Sequence, residues 1–176
     1  MVKHKKAAIL IFLFLVLISI VLLINNKTNR VNQETNAKYY SGFMSNVMTL
    51  KTVMDQAVDT DSDPESTAIA MFDVLSNIAF IHDRLNLMMN ETTHGNEYAS
   101  LKDQFLRLRY SYESLVRSQL MKRDRSDSEE KLSFTQQQLQ LFINDLPKEY
   151  ENSKAFFILL HKAEAHIKPL EYMNFS

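Results

Sequence analysis

The chain has 176 residues, 45% hydrophobic and 23% charged, a balance that suits one folded domain with a short appendage and excludes a disordered chain. It holds no cysteine, which excludes disulfides, zinc–thiolate sites and thiol catalysis, and its 2 glycines and 3 prolines are too few for a sandwich or barrel that turns every ~8–12 residues. The net charge of −1 is split unevenly: residues 1–30 carry five bases and no acid, leaving all 21 acids against 15 of the 20 bases, a balance that argues against gripping nucleic acid.

Residues 1–6 form a basic flank with Lys3, Lys5 and Lys6. From Ala7 to Ile24 no residue is charged, and Ser19 is the only polar one. At 1.5 Å per residue this run is ~27 Å long as a helix, close to the ~30 Å hydrocarbon core of a bilayer. Ser19 can bond to its own helix backbone. A cleaved leader has a shorter apolar core followed by small residues. Here Asn25, Asn26 and Lys27 follow instead. The run therefore reads as an uncleaved transmembrane anchor over 7–24. The basic flank exceeds Lys27 and Arg30 on the far side, which predicts a cytoplasmic N-terminus and an extracytoplasmic domain, as on a bacterial surface.

Residues 25–37 are polar and Asn-rich, and read as a stalk that is helical in part. The domain follows over 38–168, with a tail at 169–176. Its first helix is expected at about 34–58, where Tyr40, Phe43, Val47, Leu50, Met54 and Ala57 recur at spacings of 3 and 4. The second starts at Asp63 as cap, with Pro64 in the first turn, and runs to about Asn90. Its predicted stripe is Met71, Leu75, Ile78, His82, Leu85 and Met89, widened by Phe72, Ala79, Ile81 and Met88.

The third helix is expected at about 97–122, capped by Asn96, with Tyr98, Leu101, Phe105, Leu108, Tyr112 and Leu115 inward. The fourth begins near Ser126 or Asp127 and carries Leu132, Leu139, Phe142 and Leu146. Pro147 must break or kink it, because proline lacks the donor and clashes with the preceding turn. Asp145 would then cap a fifth helix showing Tyr150, Phe157, Leu160 and Ile167. Long helices with short links pack side by side. The predicted fold is all-α: one transmembrane helix, then an up-and-down antiparallel bundle of three long helices with a fourth broken at Pro147.

Several constellations carry little chemistry. Asp59, Asp61 and Asp63 alternate like calcium-loop ligands, but Pro64 and Ala70 stand where that loop needs Gly and Glu. His161, Glu164 and His166 lie close in sequence without a Glu-x-x-His motif. Met44 and Met48 read as core filler rather than as a soft-metal pair. The glycosylation-type triplets at Asn26, Asn90 and Asn174 are patterns an Asn-rich chain produces by chance. His82 falls on an apolar stripe and is the residue to weigh for pH sensitivity.

No nucleophile motif, phosphate loop or cofactor fingerprint occurs, so the expectation is a non-catalytic protein without cofactor or metal. Its expected partners are the bilayer, through 7–24, and a second protein or a second copy. Tyr110, Phe134 and Phe156 fit their helices' stripes least well and are the expected contact residues. A bundle that binds a small ligand and acts on a membrane partner is the alternative.

Overall fold

A computed structural model describes residues 2–58, 64–120 and 125–167. Among these residues the chain is all-α: α1 spans Val2–Val58, α2 Pro64–Glu91, α3 Ala99–Leu120, α4 Arg125–Asp145 and α5 Lys154–Glu164. A 3₁₀ turn, Gly95–Tyr98, leads into α3. The chain divides into two compact units, Met1–Thr35 and Asn36–Ser176.

In the first unit, α1 carries the long apolar run. From Phe12 to Ile24 no residue is buried. Water does not tolerate so many exposed large apolar side chains in a row. By length and composition this helix can cross a membrane. Ser19 Oγ donates to the Leu15 carbonyl at 2.9 Å, so the one polar side chain in the run is satisfied internally. The polar stretch after Ile24, expected to be helical only in part, is helical throughout. It contains no glycine or proline to stop a helix, and Arg30 and Glu34 pair at 2.9 Å one turn apart.

The second unit begins at Asn36, so Asn36 and Ala37 belong to it rather than to a stalk. Tyr40, Phe43, Val47, Leu50, Met54 and Ala57 are all buried, as their spacing requires. They meet Leu101, Phe105, Leu108, Tyr112 and Leu115 of α3, with Leu139 and Phe142 of α4, in one core. Ring contacts run through it from Phe43 to Phe142 at 6.4 Å and from Phe142 to Phe105 at 5.7 Å.

α2 differs from its expected register. The buried stripe is Met71, Val74, Ile78, Ile81, Leu85 and Met88, while Leu75, His82 and Met89 are only half-buried. Phe72, expected to widen the buried face, is exposed. Both sets of positions satisfy a 3,4 rhythm, so packing rather than periodicity decides between them.

Helix ends also depart from the expectation. Asn96 does not cap α3, because the chain enters through the 3₁₀ turn, preceded by His94, which makes no side-chain cap bond. Gly95 is needed there: a Cβ would fall 1.8 Å from the Met89 carbonyl oxygen. Ser126 and Asp127 lie inside α4 rather than before it. The caps and acidic turn expected at 59–63, the basic cluster at 122–123 and the tail after 167 lie outside the described residues.

α4 stops at Asp145 because Leu146 precedes a proline and is pushed out of helical geometry. Pro147 does not open α5, however. The chain stays irregular until Ser153, whose side chain accepts from the Phe156 amide at 3.2 Å and caps the helix. Two tertiary bonds hold this irregular link in place. Tyr40 Oη donates to the Pro147 carbonyl at 2.5 Å, and Asn36 Nδ2 donates to Tyr150 Oη at 2.9 Å. Asn36 is buried and also donates to Thr93 at 3.1 Å, tying α1 to the turn before α3. The later start turns Phe156, Leu160, Ala163 and Ile167 inward. Ile167 lines a small cavity together with Leu50, Met54, Leu108 and Leu139.

The tyrosine hydroxyls of this core predict opposite responses. The Tyr112 hydroxyl is buried beside Thr135, whose own hydroxyl donates to the Lys131 carbonyl, and it makes no well-formed hydrogen bond among the described residues. Tyr112→Phe is expected to leave stability unchanged or raise it by up to about 1 kcal/mol, since it removes a buried polar atom without orphaning another. Tyr40→Phe is expected to cost about 1–2 kcal/mol, because it strands the Pro147 carbonyl. Urea titration of the two variants checks the contrast.

Candidate functional site

The expected contact residues fare differently in the structure. Tyr110 is exposed on α3, where its helical neighbours are the half-buried Leu106 and the polar Arg107, Glu113 and Ser114. Phe134 is half-buried and packs against the core. Phe156 is not a surface residue at all. It is 2% exposed, with its ring 5.0 Å from Tyr40, 5.1 Å from Tyr150 and 5.0 Å from Phe157. The cap at Ser153 set this register, which a helix starting at Asp145 would not have.

The surface that does present apolar side chains is the outer face of α2. Ile69, Phe72, Phe80 and Leu87 are 58, 59, 60 and 38% exposed. At 100° per residue they lie about 160° around the helix from the buried stripe. α2 is thus apolar on two opposite faces, one filling the core and the other facing outward. A helix with one buried face normally presents polar residues on the other. Ser76 and Asp83 fall within the outer stripe, and Asp73 borders it. Ser76 is small and bonds back to the Phe72 carbonyl at 3.0 Å, which leaves a low point between the two phenylalanines. The signal was present in the sequence, because Ile69, Phe72, Phe80 and Leu87 recur on one helical face. Phe72 alone was assigned, to the wrong side.

A second feature lies where α5 meets the start of α3. His161 Nε2 is 3.0 Å from Glu97 Oε2, and His161 Nδ1 is 3.3 Å from Glu164 Oε2. Glu164 is buried and also accepts from Ser100 Oγ. An imidazole can satisfy both carboxylates only as the doubly protonated cation. The hydrogen bond to Glu97, helped by Glu164 and opposed by partial burial, accordingly holds the His161 pKa above its ordinary value. The two carboxylates sit on opposite ring nitrogens, so the three groups do not converge on one ion. No group of metal ligands is assembled among the described residues.

This cluster borders an open cleft of about 500 Å³ lined by His94, Glu97, Lys154, Phe157, Ile158 and His161. On the far side of α5, Asp145 lies 2.7 Å from His166 Nε2 and accepts from Lys162 Nζ at 3.1 Å. Those two bonds, the one to His166 first, hold its carboxyl below the usual range. His161 and His166 therefore serve separate clusters at the two flanks of α5.

His82, singled out for pH sensitivity, lies at the edge of the buried face of α2. Its Nδ1 is 3.2 Å from the exposed carboxylate of its neighbour Asp83, a contact within one helix that ties no two elements together. His161, by contrast, is clamped between elements. Its pair with Glu97 spans 64 residues of sequence, a distance local pattern does not reach.

The clamp gives a signed pH response. A raised His161 pKa contributes stability that is fully present below the unfolded value near 6.5 and is lost as pH rises through the folded pKa. With the ring 44% exposed, the contribution is expected not to exceed about 1 kcal/mol. Amide exchange of α5, corrected for its intrinsic pH dependence, is expected to quicken between pH 6 and pH 8. His161→Gln should flatten that rise. Equal pH slopes in both proteins would assign the effect elsewhere.

Compared with known proteins, the chain matches no family model, no curated protein and no solved structure.

Proposed function

We propose that the protein is a single-pass membrane protein whose N-terminus is cytoplasmic and whose Asn36–Ser176 unit is an extracytoplasmic up-and-down helical bundle that docks a second protein. The role is structural and non-catalytic. One observation carries the docking reading: α2 is apolar on its outward face, where Ile69, Phe72, Phe80 and Leu87 stand in water. Contiguous exposed apolar surface on a folded domain marks interaction sites. The exposed apolar run from Phe12 to Ile24 supports the anchor, and the flanking lysines support the orientation.

A photo-crosslinking residue in place of Phe80, compared with one in place of the exposed Gln137, tests the reading in sealed native membranes. The expected result is a protein adduct from position 80 that is absent from position 137 and is lost when Phe72→Ser is added. Adducts with lipid alone, or the same adducts from both positions, would contradict it.

The second reading, a small-ligand module, draws on the cleft between Glu97, Lys154 and His161. Opposite charges at the rim of an apolar floor suit a zwitterionic small molecule. A ligand that raises the melting temperature of the wild type but not of a Lys154→Gln variant would favour that reading.

A further inference from the structure

Resting on the docking role proposed for α2, we infer that its outward face takes an amphipathic helical segment of a partner protein whose apolar stripe is flanked by lysine or arginine. The stripe runs from Ile69 to Leu87, about five turns or ~27 Å, a length suited to one helix laid alongside. Two phenylalanines with a small serine between them offer knobs and a hole to such a partner.

The charge on α2 selects the partner. The helix carries four acids, Glu65, Asp73, Asp83 and Glu91, and one arginine. Asp73 and Asp83 are exposed within or beside the stripe, Asp83 with 74% of its side chain open. Arg84 does not offset them at the surface, because its guanidinium lies over Gly42 of α1, where a Cβ at Gly42 would meet its Cζ at 3.3 Å. The outward face is therefore an apolar stripe that carries the Asp83 carboxylate between Phe80 and Leu87 and the Asp73 carboxylate at its border.

That pattern disfavours a second copy. Antiparallel self-pairing centred on the stripe sets Asp73 against Asp83 of the other chain. Parallel pairing sets each acid against itself. Either way, like charges are juxtaposed, which opposes association. An anionic lipid surface is repelled for the same reason. A basic amphipathic helix satisfies both the stripe and its borders.

The test uses the full chain in zwitterionic nanodiscs and two synthetic helices sharing one leucine stripe, one flanked by lysine and one by glutamate. The lysine-flanked helix is expected to bind about tenfold tighter at low salt, with the gap closing as salt rises. Asp73→Lys with Asp83→Lys is expected to reverse the preference. Phe72→Ser with Phe80→Ser is expected to abolish binding of both helices, with the thermal melt unchanged because both side chains are exposed.

Equal binding of the two helices, or a preference that survives the charge reversal, overturns the inference and leaves the docking role standing. So does the absence of peptide binding alongside a specific crosslink from position 80. Sedimentation showing a dimer that Phe72→Ser dissolves would assign the face to a second copy, and binding of anionic vesicles in place of either helix would assign it to lipid. Loss of the crosslink as well would remove both the inference and the docking role.

Discussion

Phe43→Ala is expected to lower the unfolding free energy of the domain by about 3–5 kcal/mol, a large share of the 5–15 kcal/mol typical of a domain. Phe43 is fully buried on α1. Its ring meets Tyr40 at 5.8 Å and Phe142 of α4 at 6.4 Å, and Phe142 passes the contact on to Phe105 of α3. Truncation removes the transfer energy of the ring and leaves a cavity where three helices meet, so none can close the gap without losing another contact. Phe72→Ala serves as the comparison. It deletes the same side chain from the outward face of α2, and its cost is expected within about 0.5 kcal/mol. Urea unfolding of the two variants separates a residue that holds the fold from one that decorates it. Equal losses would mean that Phe72 is packed in the folded protein.

The second large effect concerns the anchor. Leu15→Lys with Val16→Lys places two charges at the middle of the apolar run over 7–24. Each ammonium at the bilayer centre costs about 2.5–3.5 kcal/mol on insertion scales. The expected result is that alkaline carbonate releases the variant from membranes while the wild type stays in the pellet. Release of the wild type under the same treatment would contradict an uncleaved span. Because the polar stretch after Ile24 continues the helix without a break, a cut there would have to act on helical backbone rather than on a loop.

How much of this was legible in the sequence depends on whether a residue's neighbours are local. The stripe from Tyr40 to Ala57 was readable because that part of α1 buries a single face, so periodicity has one solution. The same holds for Tyr98 to Leu115. α2 resisted because it is apolar on two faces. Met71, Ile78 and Leu85 belong to either register, and only the packing of α2 against the other helices chooses Val74, Ile81 and Met88 over Leu75, His82 and Met89. The outer stripe was hidden by the same ambiguity.

The start of α5 resisted for another reason. Proline and aspartate at 145–147 look like a helix opening, yet Tyr40 and Asn36, more than a hundred residues upstream, hold the link in an irregular path until Ser153. That shift buried Phe156 and left Ile158 at the rim of the cleft. The clamp of Glu97, His161 and Glu164 was half-visible. His161 and Glu164 stood out as neighbours in sequence, but Glu97 joins them only through the fold. Tyr110, by contrast, is exposed, off the stripe it fits poorly.

The chain has no cysteine, so a single introduced thiol reports without background. Ser76→Cys places one in the outer stripe of α2 between Phe72 and Phe80, and Gln137→Cys places one on the exposed face of α4. Labelling of the two by a membrane-impermeant maleimide, in intact cells and in the purified full chain, bears most directly on the proposal of a tethered domain with a docked partner. Position 137 is expected to label equally fast in both settings, and position 76, half-buried between its phenylalanines, to label several-fold faster once purified than in cells. Equal labelling of both positions in cells would contradict a docked partner, and labelling of neither until the membrane is breached would reverse the orientation.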